Sequence, residues 1–395
     1  EYPVEDPIQE VEKREIVGPN AEMVSLGFRF EGFKEKRSMM AELVSMLLSN
    51  GEAGLIDINL NQKQAIQGGY SYTYRLNDYS MHVLGGKPKQ GQKLEEVQAK
   101  LLSQIDLLKQ GKFDNWLLKA IVSDYKLSQL KELESNKARA QALLSSFVYK
   151  EDIGTFVNEV NLLEKVTKAD IIKFVSKYYN NNYVVVYKRQ GEAKREHVVK
   201  PEISQLPINR GQESNFYKEV VAMPVAQIKP KFTDFSLIEN TDLKNNISLK
   251  YLNNKENKRF ELYYVFDIGS MHDKELTLAV SYLNYLGAKG YSAESLQKEF
   301  YKIGCSFSVS TSEKRVYVTL SGLDENMEKG LKLFEFFLKN PIADQQAYDK
   351  LVDKIIKART DKKTNKRTIL SSGLVSYAKY GEKSPFTDIL TKEEL

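Results

Sequence analysis

The sequence predicts an α+β protein built from two homologous units, each an antiparallel sheet packed on helices. Three observations lead to this prediction. Residues 44–54, VSMLLSNGEAG, return as residues 280–290, VSYLNYLGAKG, with five identities at a constant offset of 236. The same order of predicted strands and helices surrounds both copies. A proline-bearing segment without apolar periodicity separates them.

The first unit begins with a partly alternating strand over residues 22–32. Apolar residues at helical spacing then predict a helix over 37–50, with Gly51 where a C-cap glycine belongs. The remaining predicted elements are a short helix at 57–66, strands at 70–76 and 79–85 around an Asn77-Asp78 turn, helices at 93–109, 114–148, 155–164 and 168–179 (the last N-capped by Thr167), and a buried strand at 182–188.

The second unit repeats this order. Its predicted elements are strands at 247–252 and 260–268, a helix at 275–286 followed by Gly287 and Gly290, a helix at 293–303 capped by Ser292, strands at 305–311 and 315–321, and helices at 326–339 and 344–359. Gly85 and Gly322 are taken as equivalent landmarks at an offset of 237. We interpret the repetition as an internal duplication; chance similarity between two strand–helix patterns is the alternative.

The change in composition between the units predicts the domain limits. The first domain spans residues 1–188 and the second spans 236–395. Residues 189–235 contain four prolines and no periodic pattern, so they are predicted to be an extended surface linker.

The composition of the chain argues against several classes of function and site. The chain has 395 residues, 58 basic and 53 acidic, and its net charge of +5 is dispersed, which gives weak support for nucleic-acid binding. A single cysteine, Cys305, excludes an intrachain disulfide and a multi-cysteine zinc site. The absence of a long apolar stretch argues against a membrane span. Because the chain lacks an initiator methionine, we expect a processed product or a fragment.

The individual motifs favour structural roles. The Gly-x-x-Gly stretches lack P-loop spacing and are interpreted as helix ends. His82, His197 and His272 are far apart, and a single imidazole makes no zinc site. Cys305 is predicted to be a buried structural thiol. The basic run at 350–367 is interpreted as a solvated helix face, with an anion or acidic partner as the alternative.

Residues 260–309, FELYYVFDIGSMHDKELTLAVSYLNYLGAKGYSAESLQKEFYKIGCSFSV, resemble the opening of an insulinase/pitrilysin-type zinc metallopeptidase domain. In that family a strand ends in Gly-Ser, a helix carries His-x-x-Glu-His, a glycine follows, and a serine caps the next helix. The first half, with GFRFEG, NGEAGLIDINL and LEEV, resembles the non-catalytic companion domain. The resemblance implies the α/β roll of these metallopeptidases.

The zinc-binding motif of the family is missing from this sequence. The positions that match His-x-x-Glu-His are Leu278, Ser281 and Tyr282, and residues 345–365, where the third ligand would lie, contain no Glu. The matching positions in the first copy are Glu42, Ser45 and Met46. We therefore predict no catalytic, cofactor-binding or metal-binding residue in this chain.

The resemblance implies the non-catalytic portion of a zinc-dependent peptidase, which forms the wall of a chamber and aids peptide binding. The two units would correspond to the second and third domains, the third truncated. The parent protein would be a zinc metalloendopeptidase, whereas this chain alone would be inactive.

The implied partners are a catalytic, zinc-bearing domain before residue 1, a fourth domain after residue 395, and a polypeptide substrate, with no nucleic acid and no membrane span. A periplasmic or secreted location follows only by analogy. The alternatives are an inactive homologue that serves as an assembly scaffold, and an anion or nucleic-acid binding module that uses residues 350–367.

Overall fold

The computed structural model describes residues 4–193, 199–202, 204, 211–227, 229–230, 232, 234–255 and 257–395, without the side chains of residues 155–157. Contacts divide the chain into a larger unit, Glu1–Ala193 with Asn257–Leu395, and a smaller unit, Lys194–Glu256.

The first half of the larger unit holds five strands and six helices. The strands are β1 (Glu12–Gly18), β2 (Met23–Glu31), β3 (Gly68–Arg75), β4 (Tyr79–Lys87) and β5 (Tyr183–Gln190), and the helices are α1 (Lys36–Leu48), α2 (Leu94–Lys109), α3 (Asn115–Glu132), α4 (Asn136–Val148), α5 (Ile153–Leu163) and α6 (Lys168–Tyr178). A π-helical turn, Asp57–Gln62, follows α1.

The described part of the smaller unit contains helix α7 (Asn215–Ala222) and an exposed hairpin of β6 (Glu239–Leu243) and β7 (Ile247–Tyr251). The hairpin turns through Asn245 and Asn246, whose φ angles are 64° and 61°. Asparagine tolerates this left-handed conformation better than most residues.

The second half of the larger unit holds the remaining elements. The strands are β8 (Arg259–Phe266), β9 (Gly287–Ala288), β10 (Cys305–Thr311), β11 (Val316–Leu323) and β12 (Pro341–Ile342), and the helices are α8 (Glu275–Leu283), α9 (Ala293–Lys302), α10 (Met327–Lys339), α11 (Gln345–Lys362), α12 (Lys366–Thr368) and α13 (Val375–Tyr380).

The first sheet has the strand order β1-β5-β2-β4-β3. Its pairs are antiparallel except for β1, which runs parallel to β5. Alternate residues of β2 point to one face. These are the buried Val24, Leu26, Phe28 and Phe30, and they join one core cluster with the buried side chains of α1. The predicted α+β class, with sheets packed on helices, is confirmed.

The second sheet has the order β10-β11-β8, and all its pairs are antiparallel. Its smaller core is centred on the fully buried Leu320, Phe334 and Phe337.

The two sheets pair their strands in the same register. Ser25 lies opposite Gly85, and adding the offset of 236 to both numbers gives Glu261 and Ser321, which lie opposite each other in the second sheet. The β3–β4 and β10–β11 pairs obey the same offset. A slip of one residue would exchange the two faces of a strand, so a shared register indicates a shared fold rather than chance. Gly322 is thus equivalent to Gly86, and the landmark pairing with Gly85 was wrong by one residue.

Several elements differ from the sequence predictions. The predicted helix 114–148 is two helices, because Ser135 starts a new one by accepting a hydrogen bond from the N–H of Ala138 at 3.4 Å. Strands β1 and β6 were not predicted. The predicted structureless linker contains α7, and β7 pairs with β6 rather than with the sheet that contains β8. The predicted domain limits remain a prediction.

The repeated glycines also behave differently in the two copies. Gly51 follows α1 with a φ of 85°, but Gly287 does not cap α8, which ends at Leu283. A Cβ atom at Gly287 would lie 2.4 Å from the carbonyl oxygen of Tyr291, so a close approach of main chains requires that glycine. The left-handed residue of the second copy is Gly290, with a φ of 85°.

Within the part of the chain that the structure describes, no helix combines the length and apolarity needed to cross a membrane.

Candidate functional site: the degenerate metal position

Helix α8 carries the three positions that match the missing zinc motif. Leu278, Ser281 and Tyr282 are all half-buried. The Ser281 hydroxyl donates to the carbonyl oxygen of Thr277 at 2.8 Å, one turn earlier, so it is used within its own helix.

Tyr282 joins α8 to the start of α11. Its hydroxyl donates to the carbonyl oxygen of Asp344 at 2.9 Å and accepts from the N–H of the same residue at 2.8 Å. The ring packs edge-on against Tyr348, with centroids 5.2 Å apart and an interplanar angle of 81°. The Asp344 side chain caps α11 by accepting from the N–H of Ala347 at 3.0 Å. A direct contact between two helices therefore lies where the resemblance places a metal.

The first half of the chain makes hydrogen bonds to the two helices that form this contact. Three glutamines, the last residue of the π-helical turn and two that follow it, donate to main-chain carbonyl oxygens of the second half: Gln62 to Asn284 at 2.8 Å, Gln64 to Ala347 at 3.1 Å, and Gln67 to Lys354 at 2.9 Å. Both helices of the degenerate site are thus tied to the neighbouring repeat.

The side chains at this position do not fit zinc. Catalytic zinc needs neutral imidazoles and a carboxylate, with a further Glu to activate water in this type of site. Leu278 offers no donor atom, and the Tyr282 phenol is engaged with Asp344. Over the described residues as a whole, no group of three or more His, Cys, Asp or Glu side chains could hold a metal ion.

The matching positions of the first copy lie on α1 and contact β3 or the core. Glu42 accepts a hydrogen bond from Thr73, and burial raises the pKa of its carboxyl group, against the opposing charge of Arg75. The Ser45 hydroxyl contacts the Ser71 hydroxyl at 3.0 Å. Met46 packs at the margin of the core.

His82 and His272 each make hydrogen bonds within the fold. His82 is fully buried; its Nδ1 lies 2.6 Å from the Tyr179 hydroxyl and its Nε2 lies 2.7 Å from the Ser71 hydroxyl. Burial lowers the pKa of His82 to about 3, so its imidazole is neutral. In the loop before α8, His272 accepts from the N–H of Gly269 at 3.1 Å. His197 lies outside the described residues.

The first Gly-x-x-Gly loop binds a carboxylate of its own chain. Asp57 accepts from the N–H of Asn50 at 2.8 Å, from the N–H of Gly51 at 2.9 Å and from the Ser49 hydroxyl at 2.9 Å. Main-chain N–H groups that converge in this way form an anion-binding concavity. Because Asp57 fills it, no phosphate site is needed to explain the glycines. Sequence analysis missed this role, although an Asp shortly after a Gly-rich turn was the available signal.

Two other candidates are structural as well. Cys305 is buried, as predicted, and burial raises the pKa of its thiol to about 11. In the basic run 350–367, Lys354 donates to the Tyr285 hydroxyl at 3.2 Å, Lys357 pairs with Asp361, and Arg359 donates to the carbonyl oxygen of Leu390 at 2.6 Å. These three cations are used within the fold.

Comparisons with known proteins agree with this architecture. Residues 1–125 match the family model of the Peptidase M16 inactive domain, and residues 251–384 match that of Insulinase (Peptidase family M16). The zinc protease PqqE of Helicobacter pylori is 23% identical over 167 residues, which are 42% of this chain and 37% of that protein. The chain thus spans well under half the length of this curated relative.

The fold is shared with a solved structure, that of pitrilysin. Pitrilysin superposes with a TM-score of 0.52 at 12% identity, over 93% of this chain and 42% of pitrilysin. The M16 inactive domain from Pseudomonas fluorescens covers 47% of this chain and 44% of that structure at 13% identity, with a TM-score of 0.37.

The family matches fall on the two halves whose sheets share one register, and together they cover most of the chain. The chain belongs to the insulinase family of peptidases, family M16, and its first half matches the inactive domain of that family.

Proposed function

We propose that this chain is the non-catalytic portion of a zinc-dependent peptidase, where it walls the substrate chamber and helps to hold a polypeptide. The observation that carries the proposal is the Tyr282–Asp344 contact, which occupies the position of the second metal-binding histidine of the family. A phenol bonded to main chain supplies neither a metal ligand nor a base for water.

The activity of the whole protein is part of the same proposal. A different segment would carry the His-x-x-Glu-His motif and its zinc, and the two repeats described above would pack beside it. The partners would then be the catalytic and fourth domains of the same protein and the polypeptide substrate.

The free edge of β8 supports a role in holding peptide. Among the described strands, β8 pairs only with β11, and its residues Tyr263, Val265 and Phe266 are 53%, 50% and 51% exposed. The equivalent strand of the first sheet, β2, accepts β5 antiparallel at the corresponding edge. An extended peptide that adds to β8 would gain main-chain hydrogen bonds whatever its sequence.

The central experiment measures zinc and hydrolysis on the purified chain. We expect no stoichiometric zinc by equilibrium dialysis and no chelator-sensitive cleavage of an unfolded polypeptide. A triple variant, Leu278→His, Ser281→Glu and Tyr282→His, serves as the positive control and should bind zinc more tightly than the parent. One tightly bound zinc per unaltered chain, or cleavage abolished by a chelator, would contradict the proposal.

The peptide-holding role needs a separate measurement. An unstructured apolar peptide should bind the chain, and the same peptide with N-methylated main-chain amides should not, because it cannot pair with a strand edge. Equal binding of both peptides would exclude strand addition. Only the proposed role as a wall of the substrate chamber would then remain.

A further inference from the structure

A cavity of about 650 Å³ lies between the two halves of the larger unit. Helix α3 and the loop after α1 line one side, and α9 with the facing ends of β10 and β11 lines the other. The polar side chains that matter here are Glu52, Asp124 and Tyr301, and the indole of Trp116 lies beside them.

Tyr301 has a polar atom that the fold does not use. The residue is 7% exposed and packs into the core cluster of the first half, although it belongs to α9. Its hydroxyl is buried and has no hydrogen-bond partner among the described residues. A buried hydroxyl without a partner is unfavourable, because it has lost its bonds to water, and a ligand that bonds to it removes that penalty.

Two carboxyl groups face the same space. Glu52 is hydrogen-bonded to the side chain of Gln297 on α9. Burial, together with the nearby charges of Asp124 and Asp57, raises the pKa of Glu52 to about 7, although the Gln297 hydrogen bond acts in the opposite direction. Burial also raises the pKa of Asp124. Asp57 is already bonded to the glycine loop, whereas Glu52 and Asp124 keep acceptor capacity.

The basic residues that line the cavity are either paired with other side chains or exposed to solvent. Lys302 pairs with Glu299 at 2.6 Å and lies 5.1 Å from the Trp116 ring. Arg259 is bonded to Glu134 and Glu261 at 3.0 and 3.1 Å. Lys119 and Lys131 are exposed, and their charges are screened by solvent.

We propose that this cavity binds a primary ammonium group, which donates its three N–H bonds to the Glu52 carboxylate, the Asp124 carboxylate and the Tyr301 hydroxyl. The geometry favours an organic cation over a metal ion, because the Tyr301 phenol and the Trp116 indole line the same cavity as the acids and aromatic rings attract ammonium groups. The ammonium comes either from a free amine or from a lysine side chain of a polypeptide. The site does not depend on the proposed function, since it stands whether or not the chain holds peptide.

The proposal has a pH signature. A proton and the ammonium compete for Glu52, so each bound ligand releases one proton below the pKa of that carboxyl group. Affinity should therefore rise about tenfold from pH 6 to pH 8, with most of the rise below pH 7. A non-specific surface amine site, which uses carboxylates that are already ionised at pH 6, lacks this rise.

The test uses n-butylamine as the probe on the whole chain, with calorimetry at pH 6 and pH 8. Glu52→Gln and Asp124→Asn should each weaken binding about tenfold or more, because each removes a charge-assisted bond. Tyr301→Phe should weaken binding without lowering the melting temperature, because it deletes an unpartnered hydroxyl. Glu132→Gln, on the exposed face of α3, is the matched control and should change nothing.

Two comparisons complete the test. Butyltrimethylammonium, which has the charge but no N–H group, should bind at least tenfold more weakly than n-butylamine. A short peptide with one lysine, compared with its norleucine counterpart, separates the two sources: tighter binding than n-butylamine identifies a polypeptide side chain, and weaker binding identifies a free amine. No saturable n-butylamine binding at pH 8, or binding unchanged in folded Glu52→Gln and Asp124→Asn, overturns the proposal.

Discussion

The Tyr282 hydroxyl both donates to and accepts from the main chain of Asp344, at 2.9 and 2.8 Å. The family resemblance places Tyr282 at a metal-binding histidine, and Asp344 is the N-cap residue of α11. The Tyr282 phenol thus links α8 to the start of α11. The second half can therefore form its fold without a metal. Its stability should depend on the Tyr282–Asp344 contact and not on a bound ion.

Tyr282→Phe should lower the free energy of unfolding by about 1–2 kcal/mol, because it removes both hydrogen bonds of the Tyr282 hydroxyl and keeps the contact with Tyr348. Urea unfolding followed by circular dichroism measures this change. Added chelator should leave the wild-type curve where it is. Tyr380→Phe, at an exposed position, is the control. A transition that shifts on chelation would mean that metal, and not Tyr282, links the helices.

Sequence predicts the elements of this fold whose signals lie within a few neighbouring residues, and it misses elements that lack such a local signal. Helix α6 was predicted with its cap, because Thr167 and Asp170 form a capping box within four neighbouring residues. Ser292 caps α9 in the same local way. Strand β1 escaped prediction because its central residues are exposed and charged, so they lack the alternation that marks a half-buried strand.

The candidate sites show the same difference between local signals and contacts of residues far apart in the sequence. The loss of the zinc motif is visible in three neighbouring positions, but the Tyr282–Asp344 contact joins residues 62 positions apart. The orphan Tyr301 hydroxyl depends on α9 packing into the other half, which no local pattern encodes. The burial of His82 is similar, because its partners Ser71 and Tyr179 come from a neighbouring strand and a distant helix end.

His82 should make stability depend on acid. Its folded pKa of about 3 lies below the ordinary value of 6.5, so the unfolded chain binds the proton first. Its contribution is complete above pH 6.5 and is lost as pH falls toward 3, by about 1.4 kcal/mol for each pH unit in between. Denaturant unfolding of wild type and His82→Gln at several pH values should show a difference that shrinks on acidification. The raised pKa values of Glu42, Glu52 and Asp57 act in the opposite direction and are common to both proteins.

His272→Gln is the control for that experiment, because the His272 ring lies in an exposed loop. Its free energy of unfolding should stay within about 0.5 kcal/mol of the wild-type value, because the substitution is at an exposed position. If the stability of His82→Gln ran parallel to that of the wild type between pH 4 and pH 6, His82 would be protonated in the folded protein, and its neutral buried state would be wrong.

Asp57 should be the main stabiliser of the glycine loop. Asp57→Ala leaves the N–H groups of Asn50 and Gly51 without their buried acceptor, so we expect a loss of about 2–4 kcal/mol in unfolding free energy. Hydrogen exchange at these two amides should accelerate more than exchange in β5, a strand in the interior of the first sheet. Glu132→Gln serves as the control. Unchanged exchange at Gly51 would show that the loop holds its shape without the carboxylate.

Cys305 should react slowly while the protein is folded. With a thiol pKa of about 11, about one molecule in a thousand carries the thiolate at pH 8, and the thiolate is the nucleophile. Close packing adds to this protection, since a Cβ atom at Gly330 would lie 2.8 Å from the Cys305 sulfur. Alkylation by iodoacetamide, followed by mass spectrometry, should be slow in buffer and fast in urea. Rapid alkylation of the folded chain at pH 8 would require an exposed, activated thiol and would contradict the structural role of Cys305.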